Sequence, residues 1–302
     1  MHKVPFASPA RFLAVLAAFS LTAMAAHSQV PGPSVAPPGP AAAPAQIPVH
    51  DLPLANANDA LLAKASALYY SNAKSGLAGF DCSIHPDWRA LFNSVDKAST
   101  VAGDDPRVVL LNSVKITLHA HTTGDSTVDW TSPANPGASP DENSASLLEA
   151  MHQATEQTLQ GFLQFWAPFV DGSAVPDSAD GLEITPADKG GYKIHLDQDG
   201  TAVTEVLSSS LLLEQFNVGM SGMNVNFIPS YTPTDQGLLV NSFLAHILPS
   251  AAAAAPEQEM RVSIEYQTVD GFPIPAKLNM ETVNTGIFNF VLDGCTVSRQ
   301  PR

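Results

Sequence analysis

The sequence contains little cysteine. Cys82 and Cys295 are the two cysteines among 302 residues, and they stand near opposite ends of the part expected to fold. So low a count excludes a disulfide-rich scaffold, and neither residue has the Cys-x-x-Cys spacing of a redox or metal site. In an oxidising compartment two thiols of one chain tend to pair. We therefore predict a disulfide between Cys82 and Cys295, with two separately buried thiols as the alternative.

Long hydrophobic runs are also absent. The most apolar stretch, Phe12 to Ala26, has about fifteen residues, whereas a membrane-spanning helix needs roughly 20. It follows the positive residues Lys3 and Arg11 and is followed by small residues, which is the pattern of a cleavable export signal. We therefore predict a signal peptide over residues 1–28, cleavage near Ser28, and a periplasmic or secreted protein that is not an integral membrane protein.

Basic residues are few. The chain has 14 Lys and Arg against 29 Asp and Glu, a net charge of −15. Removal of the signal would take Lys3 and Arg11 and no acid, which leaves 12 basic against 29 acidic residues, or −17. Such a surface repels phosphate backbones and anionic lipid headgroups. Nucleic acid is therefore excluded as a partner.

Recognised catalytic signatures are missing as well. The sequence has neither a phosphate-binding P-loop nor a dinucleotide fingerprint. The segment Gly219 to Met223 lacks the second glycine of a nucleophile elbow and is better explained as a hairpin turn. We expect a non-enzymatic protein without a cofactor.

Proline, by contrast, is concentrated in residues 29–51, together with alanine. Proline fixes φ and removes a backbone donor, so this segment is predicted to be an extended, solvated linker. The remainder, residues 52–302, is long enough for one large core and is predicted to be a single domain.

Two segments of this domain have apolar residues at helical spacing. The first is predicted to start at Asn58 or Asp59 and to run to about Ser75, and the second to start at Asn143. The apolar positions of the first are Leu61, Leu62, Ala65, Leu68 and Tyr69. Those of the second are Leu147, Leu148, Met151, Thr155, Leu159, Phe162, Phe165, Trp166 and Phe169. Both helices are expected to lie on a sheet.

Most of the remaining sequence alternates between apolar and polar residues, as strands do. One such strand starts at Val114, and another starts at Met260 and returns after an Asp270-Gly271 turn. A third hairpin is predicted over residues 215–227. A Ser221-Gly222 turn there would place Met220 opposite Met223, Val218 opposite Val225, Phe216 opposite Phe227 and Asn217 opposite Asn226.

Consecutive antiparallel hairpins with helices inserted at two places predict the α+β class. Three segments, Tyr192 to Leu196, Gly237 to Val240 and above all Ile264 to Leu278, resemble the closing strands of the periplasmic outer-membrane lipoprotein-carrier (Lol-type) superfamily. The resemblance implies a strongly curved antiparallel sheet, an open half-barrel covered by helices, around an apolar cavity for acyl chains. An added segment, Trp130 to Asp141, departs from that pattern, and no binding residue of the superfamily can be placed on this chain.

An apolar ligand site is predicted on one face of the 215–227 hairpin and the strand after it. Methionine and phenylalanine make such a surface pliable, and core packing against a helix is the alternative interpretation. The residues of this predicted site are Phe216, Val218, Met220, Met223, Val225, Phe227, Leu238, Val240 and Leu244.

Two groups of side chains are candidate metal sites. His119 and His121 lie two apart on a strand and so point the same way, and Asp125 is a possible third ligand. Solvent-facing histidines on the polar side of a strand are the alternative explanation. The carboxylates of the segment Asp197 to Gly200, with Glu205 further on, offer a calcium site, but a hairpin turn explains Asp199-Gly200 without an ion.

Together these features favour an exported, non-enzymatic binding protein that carries a lipid or other apolar small molecule on a concave sheet. The alternatives from other classes are a metal-dependent enzyme that uses His119, His121 and Asp125, and an envelope interaction module without a small ligand.

Overall fold

The computed structural model describes residues 54–95, 100–132, 142–198, 201–220, 223–249, 257–282 and 286–300. The predicted signal peptide and linker lie outside these residues. The α-helices are α1 Leu54–Ser66, α2 Asn72–Ser75, α3 Trp88–Val95, α4 Pro106–Asn112 and α5 Glu142–Val170. The strands are β1 Leu77–Pro86, β2 Lys115–His121, β3 Ser126–Thr131, β4 Glu183–Pro186, β5 Tyr192–Gln198, β6 Thr201–Leu207, β7 Leu213–Met220, β8 Met223–Thr234, β9 Gly237–Pro249, β10 Gln258–Val269, β11 Phe272–Thr282 and β12 Gly286–Arg299.

All twelve strands belong to one antiparallel sheet, in the order β3-β2-β1-β12-β11-β10-β9-β8-β7-β6-β5-β4. From β4 to β12 every strand pairs with the next along the chain, which makes this part of the sheet a meander. Strand β1 then pairs with β12. The first and last strands of the chain therefore meet inside the sheet, while β3 and β4 form its two edges.

The predicted α+β half-barrel, strongly curved and covered by helices, is wrong. The sheet is neither closed nor strongly curled, and strands take up 51% of the described residues against 28% for helices. Closure would require the two edge strands to pair. The helical cover is also smaller than predicted, because α5 has 29 residues whereas α1 to α4 have between 4 and 13. Alternation of residues identifies strands, but it does not set the curl of the sheet they form.

The strand pairings predicted from alternation are confirmed. In the 215–227 hairpin the three apolar pairs and the Asn217–Asn226 pair occur as predicted, although the turn itself lies outside the described residues. Asp270 and Gly271 join β10 to β11 with φ values of 50° and 89°, as a tight hairpin turn requires. On β2 the residues Ile116, Leu118 and Ala120 are buried.

The predicted disulfide is confirmed as well. Cys82 on β1 is bonded to Cys295 on β12, at a sequence separation of 213 residues and with 4.2 Å between their Cα atoms. The register from Asp81 to Ser83 skips a residue on β12, so Cys82 lies opposite a β-bulge that contains Cys295. The bond joins neighbouring strands near opposite ends of the chain.

The first predicted helix is wrong in its second half. Helix α1 ends at Ser66, and the chain then runs alongside β9. The amide of Leu238 donates to the carbonyl of Leu68 at 2.8 Å, and the amide of Tyr70 donates to the carbonyl of Leu238 at 3.0 Å. Residues 68–70 thus exchange helical hydrogen bonds for bonds to a strand, a tertiary contact that helical spacing does not reveal.

The second predicted helix is confirmed as α5, and its C-terminal half packs on the sheet. Phe165 and Phe169 contact Phe227 of β8 and Phe216 of β7, with ring centroids 5.0 and 6.1 Å apart. The indole of Trp166 donates a hydrogen bond of 2.9 Å to the Tyr266 hydroxyl. Among the described residues, no helix combines the length and the apolar character that a membrane crossing needs.

Candidate functional site

One carboxyl group interrupts the apolar face of the sheet beneath α5. The register aligns Glu205 of β6 with Ile194 of β5 on one side and Phe216 of β7 on the other. The row continues through Phe227 of β8 to Ala245 of β9. Glu205 is thus the one ionisable side chain in a row of five whose other members are apolar.

Glu205 is almost completely buried, with 4% of its surface exposed. Its Oε2 atom has no hydrogen-bond partner among the described residues. Burial disfavours the charged form and raises the pKa of Glu205 from 4.5 to about 8. The group is therefore a neutral carboxylic acid at pH 7, and a strongly perturbed carboxyl in an apolar environment marks a candidate functional site.

Two tyrosines complete what we call the Glu–Tyr–Tyr cluster, which consists of Glu205, Tyr69 and Tyr231. The Tyr69 hydroxyl accepts a hydrogen bond of 2.6 Å from the amide of Leu213, and its ring contacts that of Tyr231 with centroids 5.2 Å apart. The Tyr231 hydroxyl is buried, and its interaction with the Tyr69 hydroxyl contributes to the pKa values of both tyrosines.

The pKa values of both tyrosines support this grouping. Burial is the largest cause of the rise in the pKa of Tyr69, to about 12, and of the rise in the pKa of Tyr231. Electrostatic interaction with Glu205 adds to both increases. The carboxyl group therefore lies within electrostatic range of both hydroxyls.

Local irregularities of the chain bring the two tyrosines to Glu205. Tyr69 is placed by the segment that leaves α1 and runs beside β9. Gly237, at the start of β9, has φ +119°, and a Cβ atom there would lie 2.7 Å from the carbonyl carbon of Tyr69. Glycine allows both this φ and this close approach. Tyr231 follows a β-bulge between β8 and β9.

Most of the predicted apolar site lies in the core around this cluster. Val218, Val225, Phe227 and Val240 are buried, and Phe216, Met223 and Leu238 are partly buried against the same core. The side chain of Met220 lies outside the part that the structure describes. Phe165 and Phe169 of α5 cover part of this surface.

Leu244 is separated from the rest of the predicted apolar set. It pairs with Ile228, which is 40% exposed, whereas Val240 pairs with Tyr231. The β-bulge at Asn241 changes which residues of β9 share a face. Val240 consequently faces α5, and Leu244 lies on the opposite face of the sheet.

The predicted metal ligands are not assembled into one site. His119 lies between two carboxylates, with Nδ1 2.6 Å from Asp81 Oδ1 and Nε2 3.2 Å from Asp129 Oδ2. Asp125 lies in the turn after β2, where its carboxylate accepts a hydrogen bond from the Thr123 hydroxyl and its carbonyl accepts one from the amide of His121. In the part of the chain that the structure describes, no three His, Cys, Asp or Glu side chains are grouped to hold a metal ion.

The structure separates Glu205 from the candidate calcium ligands. Asp197 pairs with Ala202, and Glu205 pairs with Ile194. Residues 202 and 205 lie on opposite faces of β6, so the carboxylates of Asp197 and Glu205 point away from each other. Asp199 and Gly200 lie outside the described residues.

His119 gives a first prediction, on the pH dependence of stability. The hydrogen bond to Asp81 is the largest cause of the raised pKa of His119. The interaction of His119 with the aspartates therefore contributes fully to the free energy of unfolding below the unfolded pKa of about 6.5. This contribution is lost as pH rises through the higher folded pKa of His119. We expect His119→Gln to cost at most about 1 kcal/mol at pH 5.5, because the pair is half-exposed, and less at pH 9.

Urea unfolding at the two pH values measures this difference. His121→Gln, on the same face of β2, is the matched control. An equal cost of His119→Gln at both pH values, or a larger cost at pH 9, would contradict the assignment of His119 to the two aspartates.

Comparisons with known proteins add no assignment. No family model matches the chain, and neither the curated proteins nor the solved structures contain a match. The functional interpretation therefore depends on the geometry of the site.

Sequence reasoning did not find the Glu–Tyr–Tyr cluster. Alternation on β6 puts Thr201, Val203, Glu205 and Leu207 on one face and Ala202, Thr204 and Val206 on the other. Both faces mix polar and apolar residues, so the pattern does not show which is buried. The signal available in the sequence was the single acid between Val203 and Leu207, which becomes informative once the pairing with Phe216 is known.

Proposed function

We propose that this protein is an exported, non-enzymatic binding protein that holds an apolar small molecule or lipid at the face of β5 to β8 beneath α5. The observation that carries the proposal is the Glu–Tyr–Tyr cluster, in which a buried carboxyl oxygen lacks a hydrogen-bond partner among the described residues inside an otherwise apolar surface. Small-molecule sites typically combine an apolar lining with a few convergent polar groups.

Two further features support export. Residues 1–28 have the charge and hydrophobicity of an export signal. The Cys82–Cys295 disulfide belongs to an oxidising compartment, where such bonds persist.

The apolar residues between the row of Glu205 and the hairpin end of β7 and β8 suit an apolar ligand. Met223 is partly buried and lies at the hairpin end of β8, opposite Met220 and Pro249. Its thioether is pliable and polarizable, so it adapts to ligands of different shape. Val218→Glu would place a second carboxyl group in the core and would test stability more than binding, since Val218 is 1% exposed.

The binding proposal predicts that Met223→Gln weakens binding of a neutral apolar probe. Nile red is expected to bind the unmutated mature protein saturably at one site per chain. Met223→Gln keeps the side-chain length and puts an amide on the apolar surface, which should weaken binding by about tenfold. Fluorescence titration measures the dissociation constant, and thermal unfolding measures the effect on stability.

Met151→Gln is the matched control, because Met151 is also partly buried against the core but lies in the N-terminal half of α5. It should leave Nile red binding unchanged. An unmutated protein that shows no saturable binding would contradict the proposal and favour an interaction module without a small ligand.

A further inference from the structure

The carboxyl group of the Glu–Tyr–Tyr cluster has an unsatisfied oxygen atom. Glu205 Oε2 is buried without a hydrogen-bond partner among the described residues. The oxygen of Tyr69 already accepts from Leu213, and the hydroxyl groups of Tyr69 and Tyr231 interact with each other. When Glu205 is ionised, Oε2 can only accept a hydrogen bond, and an ammonium group supplies three N–H donors at one point.

The cluster also lacks a positive charge. Burial raises the pKa of Glu205, and no basic side chain in the described part of the protein contributes to the shift. The other titratable groups that interact with Glu205 are Tyr69 and Tyr231. Tyr192 shares the face of β5 but pairs with Leu207, and residues 159–170 of α5 include none that ionise. The positive charge that pairs with the Glu205 carboxyl group would therefore come from a ligand.

We infer that the Glu–Tyr–Tyr cluster binds the amine group of an apolar ligand, so that the ligand class is a cationic amphiphile. The inference rests on the proposed binding function and specifies its ligand. The ammonium group would lie against Glu205 Oε2 and the Tyr231 hydroxyl, and the apolar part would lie along Phe216 and its neighbours. The net charge of −15 attracts a cation to the protein and opposes the approach of a fatty carboxylate.

Competition against bound Nile red by three ligands of equal chain length tests the inference. Dodecylamine should displace the probe at a concentration at least about tenfold lower than dodecanol or dodecanoic acid, since a desolvated charge pair outweighs a neutral hydrogen bond. Binding of the ammonium requires Glu205 to lose its proton. The preference for the amine should therefore grow between about pH 6 and pH 8.

Glu205→Gln should abolish both the preference for the amine and its pH dependence, while Nile red and dodecanol still bind. Glu281→Gln removes the same charge from an exposed position of β11 and should change neither. Equal displacement by the three ligands, stronger displacement by the acid, or an unchanged amine preference in Glu205→Gln would overturn the inference and leave the binding function standing. Failure of Nile red to bind the unmutated protein would overturn both.

Discussion

Replacing Glu205 by glutamine is expected to remove a pH dependence of stability worth about 4 kcal/mol between about pH 5 and pH 9, given its folded pKa of about 8. In the unfolded chain the carboxyl group ionises near pH 4.5. In the folded chain it stays protonated to about pH 8. The stability of the unmutated protein should therefore be greatest at low pH and should fall as pH rises between these two pKa values, by about 1.4 kcal/mol for each pH unit.

The measurement is urea unfolding of the unmutated protein and Glu205→Gln at a series of pH values, without ligand. The difference between the two isolates the contribution of Glu205 from all other titrating groups, with Glu281→Gln as the control for loss of one negative charge. Parallel curves for the unmutated protein and Glu205→Gln would show that the carboxyl group is not buried and neutral as described.

Removal of the disulfide should have an effect of similar size. The bond between Cys82 and Cys295 closes a loop of 213 residues, and its loss enlarges the conformational freedom of the unfolded chain. Replacing both cysteines by alanine should lower the free energy of unfolding by about 2–5 kcal/mol. Guanidinium unfolding of the double variant, compared with the unmutated protein with and without reductant, measures the change.

The reduced unmutated protein is the control, because it loses the bond without a change of side chain. Its stability should fall close to that of the double variant. A double variant as stable as the oxidised protein would contradict the stabilising role of the bond. Two free thiols in the denatured, unreduced protein would contradict the bond itself.

The strand pairings within hairpins were predictable from the sequence because the residues that determine them lie close together along the chain. Phe216 and Phe227 are related by a two-residue turn, and a turn of that length determines which residues face each other. The same holds for β10 and β11, which are joined by the two-residue turn Asp270-Gly271. Helix α5 was equally accessible, since its apolar face recurs over many turns.

The shape of the sheet and the position of the tyrosines depend on contacts between distant segments. The bulge at Asn241 moves Val240 and Leu244 to opposite faces, and alternation alone gives no sign of it. Tyr69 leaves the predicted helix because residues 68–70 bond to Leu238, which lies about 170 residues further along the chain. The curl of the sheet is set by such bulges and by the coiling of its strands across the whole sheet.

The candidate site escaped prediction for a related reason. The link between β6 and β7 is longer than a tight turn, so the sequence does not determine that Glu205 faces Phe216. The apolar residues of the site could be predicted because they lie in one hairpin and the strand that follows it. The acid and the two tyrosines that give it chemical character come from three separate segments.

Native mass spectrometry of the protein purified from its own envelope fraction tests the proposed function most directly. We expect a fraction of the chains to carry one small molecule of apolar character, which is retained under gentle ionisation and released on activation. The same ligand should be depleted in Glu205→Gln and retained in Glu281→Gln. Bare chains at every activation energy, in both the unmutated protein and Glu281→Gln, would contradict the proposal that this protein is a carrier of a small apolar ligand.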